Sequence, residues 1–275
     1  MTSAAADLAA VADVGLLDPA WAGSRAEAAT ADRTFLGHLL DVEAAWVRVL
    51  ARHGLATEAE AAAAAAAGDP DAYDLAALAR AAQGGGTPLI PALKALRAQL
   101  PASSRAVHLG ATSQDVVDSA LMVMVGRVGA ILAEDLAAAQ DALAELARAH
   151  RSTPMVARSL AQHSLPSTFG LRAANWLDGL GQAADRLAAA VADLPVQWGG
   201  AAGTLASLSG HVDRAHRAGT LGPEVTAFTL VEDLAAELGL AAELGPGTRT
   251  AWPSRAWPRP WPTSWPRAGR SPTTC

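Results

Sequence analysis

The chain has 275 residues, of which 51% are hydrophobic but only 4% aromatic, so alanine supplies most of the apolar count, including the run Ala61 to Ala67. Alanine favours helices and fills β-sandwich cores poorly, which argues against an all-β fold. The net charge of -6 argues against a nucleic-acid partner. The single cysteine, Cys275, rules out a disulfide framework or a cysteine metal site within the chain.

Residues 1–20 read as an Ala-rich arm ending in Leu17-Asp18-Pro19, and Asp7 and Asp13 with no basic run argue against a signal peptide. From Arg25 to Gly54 the pattern is helical, with Phe35, Leu39, Val42, Trp46, Val49 and Leu50 at steps of three and four. Further helices are predicted over roughly 57–67, 72–82 and 91–100, separated by Gly68-Asp69-Pro70 and by Gly84-Gly85-Gly86-Thr87-Pro88. The strongest periodicity runs from Val117 through Leu121, Met124, Val128, Ile131, Leu132, Leu136, Ala139 and Leu143 to Leu146. At 1.5 Å rise this is a rod of roughly 45 Å, and a rod that long needs long partners, hence a bundle. Asp118 and Arg127 interrupt its most apolar stretch, which argues against a membrane span. Phe169 to Leu194 marks a second long helix and Glu224 to Leu244 a third, with a Gly-rich loop over Pro195 to Gly210 between them. No strand pattern competes.

The fold class is therefore all-α. A short-helix N-terminal domain (21–110) leads into the first part of a long-helix central bundle (111–245). A compositionally distinct tail (246–275) follows and is expected to be disordered.

Three segments rich in small polar residues could carry chemistry. His108-Leu109-Gly110-Ala111-Thr112-Ser113-Gln114-Asp115 opens the longest helix, where free N–H groups and hydroxyls favour an anion. An ordinary N-cap at Thr112 or Ser113 is the plain alternative. Arg158 to Thr168 offers hydroxyls, an amide, an imidazole and a guanidinium, or is simply a connection capped by Ser167 or Thr168. Gln197-Trp198-Gly199-Gly200-Ala201-Ala202-Gly203-Thr204 permits close backbone approach to a ligand, but no strand or phosphate-loop lysine makes it a nucleotide loop. The seven histidines are scattered without metal-ligand spacing, and no GxSxG elbow supports a hydrolase.

Together, residues 34–46, HLGATSQDVVD at 108–118, QHSLPSTFGLRAA at 162–174 and LPVQWGGAAGTL at 194–205 resemble the fumarase/aspartase superfamily, and within it the 3-carboxy-cis,cis-muconate cycloisomerase branch. The resemblance implies an all-α fold and a cofactor-free, metal-free addition of a substrate carboxylate across a conjugated double bond, giving a lactone. It implies a small di- or tricarboxylate substrate held by His108, Thr112, Ser113 and Gln114, with Ser159 and Gln162 on the opposite wall and Gly203 and Thr204 in the glycine loop. It also implies a cytoplasmic homotetramer whose sites each draw on three subunits. Many superfamily lyases carry a catalytic Thr-His pair where this chain has Ser159-Leu160, and leucine transfers no proton; that departure favours the cycloisomerase branch over adenylosuccinate lyase.

The superfamily's signature loop, GSSxMPxKxNP, with its catalytic serine, does not occur in this sequence. From Pro246 onward stand four of the eight Trp, seven of the sixteen Pro and five Arg, with no acidic residue. Read one nucleotide earlier, each Trp-Pro pair (TGG-CCN) becomes Leu, Met or Val followed by Ala. The pairs at 252, 257, 261 and 265 then fall at helical spacing. A frameshift near residue 245 is the expected origin of the tail, and a genuine proline-rich ligand for a partner is the alternative. The expected outcome is that the purified 275-residue chain shows no lactonising turnover of 3-carboxymuconate in an ultraviolet assay. Measurable turnover would contradict this.

Overall fold

The computed structural model describes residues 19–242. The elements run α1 (Arg25–Thr30), α2 (Asp32–Arg52), α3 (Glu58–Ala66), a 3₁₀ turn Pro70–Ala72, α4 (Leu75–Gly85), α5 (Leu89–Gln99), α6 (Ser113–Ala149), β1 (Pro154–Ser159), β2 (Gln162–Thr168), α7 (Phe169–Ala192), α8 (Ala206–Arg217) and α9 (Ala227–Leu238). The helical class holds for the described residues, and the expected tail at 246–275 lies outside them, as does most of the arm at 1–20.

The predicted helix over 25–54 is two helices. Ala31 adopts extended backbone between them and caps α2 without a side-chain bond. α2 is the centre of the core: Leu39, Val42, Ala45, Trp46, Val49 and Leu50 are essentially inaccessible to solvent. The buried cluster continues through α3, α5, the first turns of α6 (Val116, Ala120) and the later segments carrying Val196, Trp198, Leu208, Leu230 and Leu234.

α6 and α7 form an antiparallel pair of long helices. Their register can be read from facing residues: Gly126 lies against Leu194, Gly129 against Val191, and Gly170 against the turn at Ala147–Arg151. α6 is longer than the periodicity suggested, at 37 residues. Its length and composition alone would also suit a membrane crossing, a property that a single long helix of a helical bundle shares, so the expectation against a span is not overturned. Only 22% of that apolar stretch is buried, because α1, α2 and α7 cover only part of its surface. Leu132, Leu146, Leu171 and Trp176 remain exposed along the pair.

Three expectations need correction. Strands do occur: β1 and β2 form an antiparallel hairpin joining α6 to α7, with Ser159 opposite Gln162 and a bulge between Val156 and Arg158. Its two-residue turn is Leu160-Ala161, both at positive φ. Such turns are normally announced by Asn-Gly or Gly-Gly, and neither residue gives that signal. Second, the glycine loop ends at Leu205, where α8 begins, rather than at Gly210. Leu205, Leu208 and Val212 supply the buried stripe of α8, and Gly210 does not break it. Third, the helix expected over Glu224–Leu244 is the twelve-residue α9, stopped by Gly239 in the left-handed region. It does not extend the long-helix pair. It folds back onto α2, where Arg48 and Arg52 pair with Glu237, and His53 with Asp233. Arg52 first, with Arg48, holds the Glu237 carboxyl below the usual range against its partial burial.

The tightest point of the scaffold is Gly170. A Cβ there would sit 2.7 Å from the carbonyl oxygens of Ala147 and His150 and 2.8 Å from the Arg151 Cα, all backbone. Gly170→Ala must push the α6–α7 corner apart, which should cost about 1–3 kcal/mol. The expected readout is a lower urea midpoint with an unchanged slope.

Candidate active site

The site is built at the N-terminus of α6. Thr112 occupies the N-cap in extended backbone, and the Ser113 and Gln114 amides open the helix with no partner among the described residues. The macrodipole adds partial positive charge at the same point, so this end suits an anion. Ser113 and Thr112 are half-buried beside it. Gln114 is exposed, and its amide donates to Asp118 Oδ1 at 2.7 Å.

Asp115 organises the surroundings. Its side chain is 2% exposed and accepts three backbone N–H bonds: Thr112 at 2.9 Å, Gly199 at 3.0 Å and Gly200 at 2.9 Å. One carboxylate thus closes the first turn of α6 and fixes the glycine loop against it. Burial pushes the Asp115 carboxyl above its ordinary value, and the three amide donors only partly offset this. Ser119, one turn further on, repeats the connection: its hydroxyl donates to the Gln197 carbonyl at 2.8 Å and accepts the Gln197 amide at 3.1 Å.

Within the loop, Gly203 donates to the Gly200 carbonyl at 3.1 Å and Leu205 to the Gly199 carbonyl at 2.8 Å, so the glycines form a closed turn. Thr204 is on its exposed side. Gly110 comes close from the other direction. It has φ +73°, and a Cβ would lie 3.0 Å from Leu208 Cα, so both conformation and space demand glycine. His108 precedes it at φ 65°, rare for a residue with a side chain. Its amide donates to Glu43 Oε2 at 2.9 Å, and its Nδ1 lies 2.7 Å from Glu43 Oε1.

Of the predicted set, the structure places Thr112, Ser113 and exposed Gln114 at the start of α6, His108 four residues before the cap, and Gly203 and Thr204 in the loop that Asp115 ties to the same helix end. It does not bring Ser159 and Gln162 to them. Those two flank the hairpin turn, exposed, at the opposite end of α6. A 37-residue helix separates the groups by about 55 Å. Sequence reasoning missed Glu43 as a partner of His108. A glutamate inside an otherwise apolar helix face, three residues from Trp46, was the available signal. Among the described residues, no group of three or more His, Cys, Asp or Glu is arranged to hold a metal ion.

Comparison with known proteins agrees with this architecture. The family model described as "Lyase" matches residues 21–234. The nitrosuccinate lyase of Streptomyces davaonensis is 45% identical over 239 residues, covering 86% of this chain and 49% of that protein. The 3-carboxy-cis,cis-muconate cycloisomerase of Bradyrhizobium diazoefficiens is 43% identical over 198 residues, covering 70% and 44%. The crystal structure of the 3-carboxy-cis,cis-muconate lactonizing enzyme from Pseudomonas putida superposes with a TM-score of 0.75 at 33% identity, covering 84% of this chain and 50% of that one. The chain spans about half the length of the curated relatives it matches. It belongs to the lyase family of the fumarate lyase superfamily, whose members act on small molecules.

Asp115→Asn would replace one acceptor by an NH₂ facing backbone donors. The expected loss is about 1–3 kcal/mol of stability. The comparison with pH has a definite sign. A carboxyl whose folded value is raised binds more protons folded than unfolded. Its contribution is therefore greatest below 3.8 and declines as pH rises through the raised folded value. Wild type should lose stability relative to D115N over that interval in parallel denaturant titrations.

Proposed function

We propose that this member of the fumarate lyase superfamily carries the anion-holding part of a site for a small di- or tricarboxylate, in an enzyme that adds or removes a group across a carbon–carbon bond next to a carboxylate. The first reading is lactonisation of 3-carboxy-cis,cis-muconate, as proposed from QHSLPSTFG and LPVQWGGAAGT and supported by the cycloisomerase relative. In that reaction a substrate carboxylate oxygen bonds to one alkene carbon, the π electrons pass toward a neighbouring carboxylate, and a proton closes the balance on the adjacent carbon. A second reading, elimination from a substituted succinate, is favoured by the similarity to nitrosuccinate lyase. Both reactions pass through negative charge spread into a carboxylate, so both ask for donors preorganised around oxygen.

The observation that carries the proposal is the α6 N-terminus: two amides without partners among the described residues and the hydroxyls of Thr112 and Ser113 stand there, and Asp115 locks the glycine loop beside them. Thr112 and Ser113 would hold one carboxylate and His108 would flank it. Ser159 and Gln162, at the far end of the rod, would reach such a site only from another copy of the chain. The exposed Leu132, Leu146, Leu171 and Trp176 give the α6–α7 pair an apolar surface suited to such an assembly. A homotetramer is therefore part of the proposal.

Ser113→Ala removes one donor without disturbing the Thr112 cap. It should weaken binding of 3-carboxymuconate about tenfold, the equivalent of one charge-assisted hydrogen bond. Calorimetric titration of wild type and variant, with nitrosuccinate as a parallel ligand, checks this. Equal affinities for wild type and S113A would remove the α6 N-terminus from the site.

A further inference from the structure

We infer that Glu43 is the positioning residue of this site: it decides which nitrogen of His108 carries the hydrogen, and so whether Nε2 meets a ligand as acceptor or donor. The inference rests on the functional reading above for its purpose, but not for its geometry.

Glu43 lies in the middle of α2 and is 1% exposed, between Val42 and Ala44 and one turn from Trp46. A carboxylate in such surroundings is retained only where its oxygens are satisfied. Both are, and by the same residue. Oε2 accepts the His108 backbone N–H at 2.9 Å, and Oε1 lies 2.7 Å from Nδ1. An ionised carboxylate only accepts, so Nδ1 must be the donor. The neutral imidazole then carries its hydrogen on Nδ1, and Nε2 is left with a bare lone pair. Nε2 has no partner among the described residues and is not sealed in the core.

The same contact fixes the backbone. His108 stands at φ 65°, and the amide bond to Glu43 holds it there. Trp46, three residues along the same helix face, donates Nε1 to the Leu109 carbonyl at 2.9 Å. Two side chains of α2 thus grip consecutive residues at the edge of the site. The ring has neither rotational nor tautomeric freedom. Neutral His108 offers the ligand an acceptor, suited to a hydroxyl, a carboxylic acid or a proton arriving from carbon. Protonated, it offers a donor to a carboxylate, with Glu43 as the counter-charge behind it.

Glu43→Gln tests the assignment because it keeps the shape. Its carbonyl would take the His108 amide hydrogen, which leaves its NH₂ against Nδ1 and forces the hydrogen onto Nε2. Long-range proton–nitrogen correlation spectra of the ¹⁵N-labelled 275-residue chain, recorded at alkaline pH, report the tautomer directly. The signal lost in His108→Asn identifies the residue. Wild type should show the Nδ1–H form and E43Q the Nε2–H form. An Nε2–H or mixed wild-type spectrum would overturn the inference, as would an E43Q spectrum identical to wild type. Should E43Q not fold, the wild-type tautomer alone decides. Titration with fumarate separates this inference from the functional reading. A tautomer that switches in E43Q, with His108 signals unmoved by fumarate, supports Glu43 in its role while removing the ligand from this site.

Discussion

The local structure depends on a buried carboxylate that faces backbone rather than a cation. Asp115 takes N–H groups from its own N-cap and from two glycines more than eighty residues later. No side chain on the loop takes part. The interaction can work only if the loop presents consecutive amides in one direction, which is what the left-handed Gly200 and Gly203 allow. The aspartate therefore explains the glycines as much as the glycines explain the site. Burial disfavours its charge, and three donors offset only part of that cost. The cost is accepted for geometry: backbone amides fix the position of the loop, which one flexible cationic side chain would not.

Beneath it lies a second carboxylate with a parallel task. Asp115 ties the loop to α6, and Glu43 ties the segment before α6 to α2. Each uses both oxygens: Asp115 meets backbone N–H groups alone, and Glu43 meets both the backbone N–H and the ring of His108. Between them they leave no rotational freedom in the approach to the helix N-terminus. Both carboxylates face inward onto these partners, and the Ser113 and Gln114 amides at the start of α6 have none among the described residues.

Much of this was legible in the sequence, and the failures are instructive. Val117 to Leu146 announced the long rod because a helix that must meet a neighbour along its length repeats its apolar residues without interruption. Thr112 and Asp115 announced its start, since N-cap chemistry is local. The hairpin was hidden because Leu160 and Ala161 adopt left-handed backbone that their side chains resist; local preference was overridden by the need to turn between two antiparallel helices. α8 was hidden because three buried positions, Leu205, Leu208 and Val212, make a short stripe inside glycine- and serine-rich surroundings. The grouping of His108 with the glycine loop was accessible only through resemblance. The contact between Glu43 and His108 joins residues 65 apart in sequence: the apolar face around Glu43 marks it as a carboxylate needing a partner, but nothing local names His108 as that partner.

The length of α6 sets what one copy can do. The helix fixes the hairpin at one end and the Thr112–Asp115 turn at the other, and a continuous helix cannot bend by half its length. Ser159 and Gln162 therefore cannot approach Thr112 of the same chain by any rotation of side chains or loops. In the proposed reading they face that site only where a neighbouring rod runs antiparallel alongside. Such packing is also what the exposed leucines and Trp176 require to leave water. The apolar surface and the divided site are then one design problem. In the proposed reading, a rod long enough to carry site groups at both ends has too much surface for its own chain to cover, and covering it with further rods brings opposite ends together.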